Sequence, residues 1–353
     1  MAGSGFAIGS RRVGEGEPTY VIAEGGVNHR CRLDLALEMV REARQAGADA
    51  IKFQTYKAGK IVTRWAERYW EDDEPSGTQY AIFKRSDRFG PDEFRRLAEA
   101  CVEEGIAFLS TPFDLEAVAM LDGLGMPAFK IASADLTDAP LLERVAATGK
   151  PVLQSTGAAM LQEVGAWLAR ARNLGVRDVG LLHCVLCYPT AVEDANLRRI
   201  ARIAEWFPEA VVGLSDHTDA AVASEVAVAA VALGAGIVEK HFTLNRDWPG
   251  DDHYHSADPA MLARMVEAVR TAERALGAAY DGVLACEERS RQYARRSIIA
   301  ARLIRTGETV RPEMLIMKRP GTGIPPTEID RVVGRKAARD IAEDATIEWD
   351  DLA

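Results

Sequence analysis

Short apolar runs that end in polar residues, each followed by a longer amphipathic stretch, recur eight times from Tyr20 onward. The runs read YVIAEGG, AIKFQTY, AFLSTP, AFKIAS, PVLQST, GLLHC, VVGLSDH and IVEKHFT. Their length and their β-branched and aromatic content predict strands. The stretches between them place apolar residues at helical spacing, as in LDLALEMVREARQAG, PDEFRRLAEACVEEG, LQEVGAWLARARNLG and PAMLARMVEAVRTAERALG. Another, AAVASEVAVAAVALG, is rich in Ala and Val, as a tightly packed helix would be. Gly47, Gly105, Gly149, Gly175 and Gly277 stand where helices should stop.

Strict alternation of strand and helix implies parallel strands joined by right-handed crossovers. Eight such units in about 260 residues match a closed (β/α)8, or TIM, barrel better than an open sheet. The first strand runs into EGGVNH rather than the G-x-G-x-x-G of a doubly wound dinucleotide fold. One connection is long: Lys57 to about Arg88, containing TRWAERYWEDDEPSGTQYAIFKRSDRF. A loop of that length marks a lid or binding loop, with a plain surface excursion as the alternative. After Gly277 the pattern changes to short strands and turns, SIIAAR, RTGETV and LIMKRPGTG among them. The predicted organisation is a barrel over 1–280, a linker over 281–294 and a small β-rich module over 295–353.

Composition narrows the function classes. A net charge of -10 argues against nucleic acid as a general partner, while leaving room for an anionic small substrate held by local cations. No apolar run reaches the ~18 residues of a membrane helix. The opening MAGSGFAIGSRRVGEGEPTY lacks the apolar core of a secretory signal, so a cytoplasmic location is expected. The five cysteines are odd in number and suggest no disulfide framework. Cys184 and Cys187 form a C-x-x-C with no second pair to complete a zinc site. Two buried small side chains are expected there.

In barrels of this kind the reacting groups gather at the C-terminal ends of the strands. Those ends supply Glu24, Lys52, Gln54, Ser110, Thr111, Lys130, Ser133, Gln154 and Ser155. Later strands add His183, Tyr188, Ser215, Asp216, His217, Glu239 and His241, and PGDDHYHS follows with Asp251, Asp252, His253 and His255. Residues two apart share a face, which pairs Lys52 with Gln54, Ser215 with His217, and Glu239 with His241. Two lysines and several hydroxyls at one mouth suit an anion carrying phosphate and carboxylate. His217 and His241, on the two final strands, could hold one divalent metal, Mn2+ or Mg2+, or could be structural histidines.

The series IAEGGVNH, AIKFQTYKA, FLSTPFD, FKIAS, STGAAM, HCVLCYPT, GLSDHT, EKHFT and PGDDH resembles the N-acetylneuraminate (sialic acid) synthase family over nearly the whole chain. The tail KRPGTGI is similar to that family's antifreeze-like (SAF) domain. The resemblance implies condensation of phosphoenolpyruvate with an aldose such as N-acetylmannosamine, giving a 2-keto sugar acid and phosphate. It implies a metal on His217 and His241 that polarises the sugar aldehyde. Lys52, Thr111, Lys130, Ser133, Ser155 and Ser215 match the phosphoenolpyruvate contacts, and Glu24 the acid that positions or activates water. Gln54, Tyr188 and Asp252 match sugar contacts, with Phe113 packing beside them. Arg319 matches an arginine that reaches the partner subunit's site, which implies a domain-swapped homodimer.

The chain departs from the family pattern at EGGVNHR, at Asp135 in SADLTD, where a Glu contacting substrate is usual, and at Leu186, usually polar. These changes bear on the acceptor sugar more than on the reaction. Three other readings compete: a Schiff-base pyruvate aldolase using Lys130 or Lys52, a silent sugar-binding protein, and a synthase of shorter, phosphorylated or non-acetylated sugar acids.

Overall fold

All eight apolar runs are strands. The computed structural model describes residues 5–70, 77–250, 252–278 and 280–353. A hairpin of β1 (Gly5–Ile8) and β2 (Arg11–Gly14) comes first. The runs follow as β3 (Tyr20–Gly26), β4 (Ala50–Thr55), β5 (Ala107–Pro112), β6 (Phe129–Ile131), β7 (Val152–Ser155), β8 (Val179–Cys184), β9 (Val211–Asp216) and β10 (Ile237–His241). Neighbours pair in parallel, and β10 pairs with both β9 and β3, so the last strand lies on the first. β5 and β6 sit side by side, although no ladder joins them among the described residues. The result is a (β/α)8 barrel.

Each crossover carries a helix, and several of these have chemically marked ends. Asp114, Asp138 and Asp258 accept backbone N–H bonds at the starts of the helices Leu115–Gly123, Ala139–Ala146 and Pro259–Leu276. Gly105 ends the helix Pro91–Glu104 in the left-handed conformation, at φ 69°. The Ala-rich helix Ala223–Ala232 packs against Pro259–Leu276, as its small side chains allow. Inside the barrel the walls are close: a Cβ on Gly213 would lie 2.5 Å from Leu182 and 2.6 Å from the Ile237 carbonyl. Only glycine fits there.

The hairpin has no counterpart among the predicted elements. It buries Phe6, Ile8 and Val13, and Phe6 reaches the barrel interior beside Gly180. The long connection after β4 is not structureless either. It holds helices at Ala58–Ile61 and Gln79–Ser86, the latter capped by the Thr78 hydroxyl; its residues 71–76 lie outside the described ones.

The chain divides into two units, Met1–Gly277 and Ala278–Ala353. The second begins with a helix, Glu288–Ala294, inside the segment predicted as linker. Its strands β11 (Ser297–Ala300) and β12 (Leu315–Lys318) pair antiparallel. It has its own core, including Ile298, Ile304, Val310, Ile341 and Ile347.

Candidate active site

Strand parity sends Lys52, Gln54, Thr111, Lys130, Ser155, Ser215, Glu239 and His241 to a cavity of about 190 Å³ at the C-terminal mouth of the barrel. At its floor are four buried ionisable groups. The Lys52 ammonium lies 2.5 Å from Glu24 Oε2 and 3.7 Å from Glu239 Oε1, and donates to Thr111 Oγ1 at 3.0 Å. Lys130 Nζ is 4.0 Å from the same Glu239 oxygen, to which the Ser215 hydroxyl donates at 3.0 Å. Gln54 donates to Glu24 Oε1 at 3.1 Å.

The four groups are not electrically equivalent. Burial pushes the Glu24 carboxyl up, and the opposing Lys52 ammonium does not cancel it. Burial also acts on Lys52, but Glu239 and Glu24 outweigh it and hold that lysine above its ordinary range. On Lys130 burial wins over the pull of Glu239, and its pKa falls. On Glu239 burial loses to the two lysines, which hold it down at about 2. Two ammonium groups and the hydroxyls beside them, gathered at one end of the cavity, suit an anionic ligand.

Hydroxyls surround this floor. Ser133 Oγ accepts from the Gly157 N–H at 2.9 Å, and the buried Ser155 hydroxyl has no hydrogen-bond partner among the described residues. A buried donor without a partner is costly and suits a ligand oxygen.

The histidines form the opposite wall. His217 Nδ1 lies 2.7 Å from the Val185 carbonyl, which can only accept, so Nδ1 carries the proton and Nε2 keeps its lone pair. The His217 and His241 rings stand 5.2 Å apart, with Tyr188 4.2 Å from His217. Donor atoms of His241, Asp252 and His255 lie within 4.8 Å of one another. His241 Nδ1 is 3.3 Å from Asp252 Oδ2 without hydrogen-bond geometry, and neither ring nitrogen of the buried His255 has a partner among the described residues. The turn carrying His217 is anchored from behind. Fully buried Lys240 donates to Asp216 Oδ2 at 2.8 Å, and Asp216 Oδ1 accepts from both the N–H and the hydroxyl of Thr218.

Of the residues singled out in the sequence, Glu24, Lys52, Lys130, His217, His241, Gln54, Thr111, Phe113, Ser133, Ser155, Tyr188, Ser215 and Asp252 all line the cavity. Asp135 does not. It ends the short turn Ser133–Asp135, in which Ser133 and Ala134 face the cavity. Arg319 belongs to the second unit, and Asp251 lies outside the described residues. Cys184 is buried beside His217, but Cys187 is exposed, which corrects the expectation of two buried thiols. Residues without an assigned role also join the site: Glu239 between the lysines, His255 beside His241, and Tyr56, Trp70, Phe83 and Arg85 around the long connection.

The NeuB family model matches residues 39–281, and the SAF domain model matches residues 295–353. The chain is 36% identical over 340 residues to the N,N'-diacetyllegionaminic acid synthase of Legionella pneumophila, covering 94% of each chain. It is 36% identical to the N-acetylneuraminate-9-phosphate synthase of Homo sapiens, over 96% of this chain and 93% of that one. A crystal structure of an N-acetylneuraminic acid (sialic acid) synthetase from Leptospira borgpetersenii, in complex with citrate, superposes with a TM-score of 0.73. That chain is 35% identical, with 82% of this chain and 95% of that one covered.

Asp135 generates a prediction of its own. Burial, reinforced by Asp138, pushes its carboxyl up to about 7, and its Oδ2 has no partner among the described residues. The folded protein therefore keeps a proton that the unfolded chain releases near 3.8. The stabilisation is full below that value and is lost as pH rises towards 7. Asp135→Asn should gain in thermal midpoint relative to wild type as pH rises from about 4 to about 8, an interval that covers nearly all of the range over which the stabilisation is lost. A midpoint difference independent of pH would show that Asp135 is not buried in its neutral form.

Proposed function

The chain belongs to the NeuB family, and from that premise we propose that it condenses phosphoenolpyruvate with the aldehyde of an amino sugar, releasing phosphate and a 2-keto sugar acid. The observation that carries this reading is the pair of buried lysines, Lys52 and Lys130, ringed by Thr111, Ser133, Ser155 and Ser215 at one closed floor. Point charges and hydroxyl donors in that arrangement suit a small ligand bearing both phosphate and carboxylate.

In the reaction, C3 of phosphoenolpyruvate bonds to the aldehyde carbon, and the aldehyde oxygen takes a proton to become a hydroxyl. Water adds at C2, and phosphate leaves with the bridging oxygen, so the ketone keeps the oxygen of the water. Lys52 and Lys130 hold the anion, and the hydroxyls orient it. Glu24, pushed up by burial and held by Lys52 and Gln54, is the group that accepts and returns the proton of water. Gln54, Tyr188 and Asp252 orient the sugar, with Phe113 packed beside it, and holding two reactants in one mouth supplies much of the rate.

A divalent cation fits the histidine wall, because His241, Asp252 and His255 offer convergent donors that do not satisfy one another. Bound there, with His217 beside it, Mn2+ or Mg2+ would polarise the sugar's aldehyde oxygen. The second unit, which carries Arg319, is read as serving the partner's barrel in a domain-swapped homodimer. A cytoplasmic location belongs to the same reading.

The lowered pKa of Lys130 favours one rival, a Schiff-base aldolase acting on pyruvate. Borohydride trapping with pyruvate would label Lys130 under that rival and leave it unlabelled under condensation.

Phosphate release from phosphoenolpyruvate in the presence of N-acylated aldoses tests the main reading. Release should need the sugar and a divalent cation, and Lys130→Ala should lower kcat/KM for phosphoenolpyruvate on the order of 100-fold. Sugar-independent release, or full activity in the variant, would sink it. His255→Ala should weaken Mn2+ binding to the metal-free protein by at least about tenfold, read from the free-Mn2+ electron paramagnetic resonance signal. Wild-type affinity would remove His255 from the ligand set. Mixing Lys130→Ala with Arg319→Ala subunits should restore activity that neither has alone; no complementation would refute the swap.

A further inference from the structure

We infer that Lys240 and Asp216 are positioning residues that set the spacing of His217 and His241, and with it the affinity of the histidine wall for a divalent cation. The inference rests on the cation site proposed above and adds what holds that site in shape. Both histidines stand just past the backbone pairing between their strands. The ladder of β9 with β10 runs from Gly213 and Ile237 to Asp216 and Lys240, and stops there. Beyond it the histidines are held from opposite sides. His241 pairs with Glu24 of β3, and its carbonyl accepts from the Ala257 N–H at 2.8 Å. The His217 carbonyl accepts from the Thr190 N–H at 2.8 Å, on the side of β8. No bond of the β9–β10 ladder therefore spans the two rings.

Side chains supply the link. Lys240 and Asp216 are the last pair of the ladder, and cross-strand partners share a face. Ser215, His217, Glu239 and His241 line the cavity, so the pair between them points the other way. There the fully buried Lys240 ammonium donates to Asp216 Oδ2 at 2.8 Å and to the carbonyl of Thr218. Asp216 Oδ1 in turn accepts from the Thr218 N–H at 2.9 Å and from its hydroxyl at 2.8 Å. One ammonium on the strand of His241 thereby grips both residues that flank His217. Arg246 and Asp219 join the same two connections farther out, but both are partly exposed, and such pairs hold geometry weakly.

The energetics favour placement over stability as the use of this pair. A buried ion pair forfeits in desolvation much of what it gains by attraction, and well-packed apolar residues often stabilise a fold as well. A fixed geometry is what the pair adds. Groups that orient metal-binding histidines from behind are worth about 10- to 100-fold in metal affinity.

The test titrates Mn2+ into metal-free wild type, Asp216→Asn, Lys240→Met and the double variant. Free Mn2+ is read by electron paramagnetic resonance, and circular dichroism checks the fold. Asp216→Asn keeps the shape but sets an amide NH2 against either Lys240 or the Thr218 donors. Each single variant should bind Mn2+ at least about tenfold more weakly, and the double variant no more weakly than the weaker single. KM for phosphoenolpyruvate at saturating Mn2+ should stay within about twofold of wild type, since Lys52 and Lys130 stand on β4 and β6. Wild-type affinity in the folded single variants, or losses that add in the double variant, would overturn the inference and leave the condensation standing. A matching rise in KM for phosphoenolpyruvate would do the same, because general loosening of the barrel moves both. Should the single variants not fold, Thr218→Val, which removes one hydroxyl bond, decides: a loss of about threefold is expected, and no loss overturns the inference. If wild type itself takes up no Mn2+, the cation site and this inference fall together.

Discussion

Two lysines and two glutamates are buried together where the first and last strands of a barrel meet, and much of the rest of the structure serves that arrangement. Lys52 comes from β4, Glu24 from β3, Glu239 from β10 and Lys130 from β6. Isolated, any of these charges would be expensive to remove from water. Closed into a ring they neutralise one another. Closure requires β10 to lie on β3, and the missing side chain of Gly213 lets the neighbouring β8, β9 and β10 come together. The apolar hairpin at the other end packs its Phe6 into the interior, so the charged floor rests on a dry support.

Around this floor the molecule separates its polar tasks by wall. The lysines and hydroxyls hold charge, while the histidine side keeps nitrogen lone pairs available because its members do not hydrogen-bond one another. Lys240 illustrates the division. It lies between Glu239 and His241 in sequence, yet points out of the barrel and spends its charge on Asp216. One face of β10 thus supplies reacting groups, and the other fixes the turn that presents His217. The long connection after β4 supplies a third wall, which is largely aromatic.

The barrel was legible because each of its strands is a short, mostly apolar run with a polar ending, and most of the intervening helices show an amphipathic period, several with a glycine or aspartate at an end. The parity rule also worked for the site: Lys52 with Gln54 and Glu239 with His241 do share the inner face. Other features had too little local signal. The hairpin strands have four residues each, of which Phe6, Ile8 and Val13 are buried only because a barrel end covers them. The helix Gln79–Ser86 is too short for its period to stand out from a charged loop. Cys187 was expected inside, but the chain turns outward after Cys184.

By itself, then, the sequence determined the order of the eight strand–helix units, the fold and the chemical types gathered at the strand ends, since those follow from local periodicity and from which residues stop each strand. The resemblance of its motifs added the reaction class. Tertiary structure alone decided the partners. Glu239 became the link between two lysines only on closure, and His255 met His241 only because a loop folds back over the final strand. Asp135 turned away from the cavity although Ser133, two residues before it, faces in. Such juxtapositions join residues far apart in the chain, or depend on the exact turn between near ones, and no local pattern encodes either.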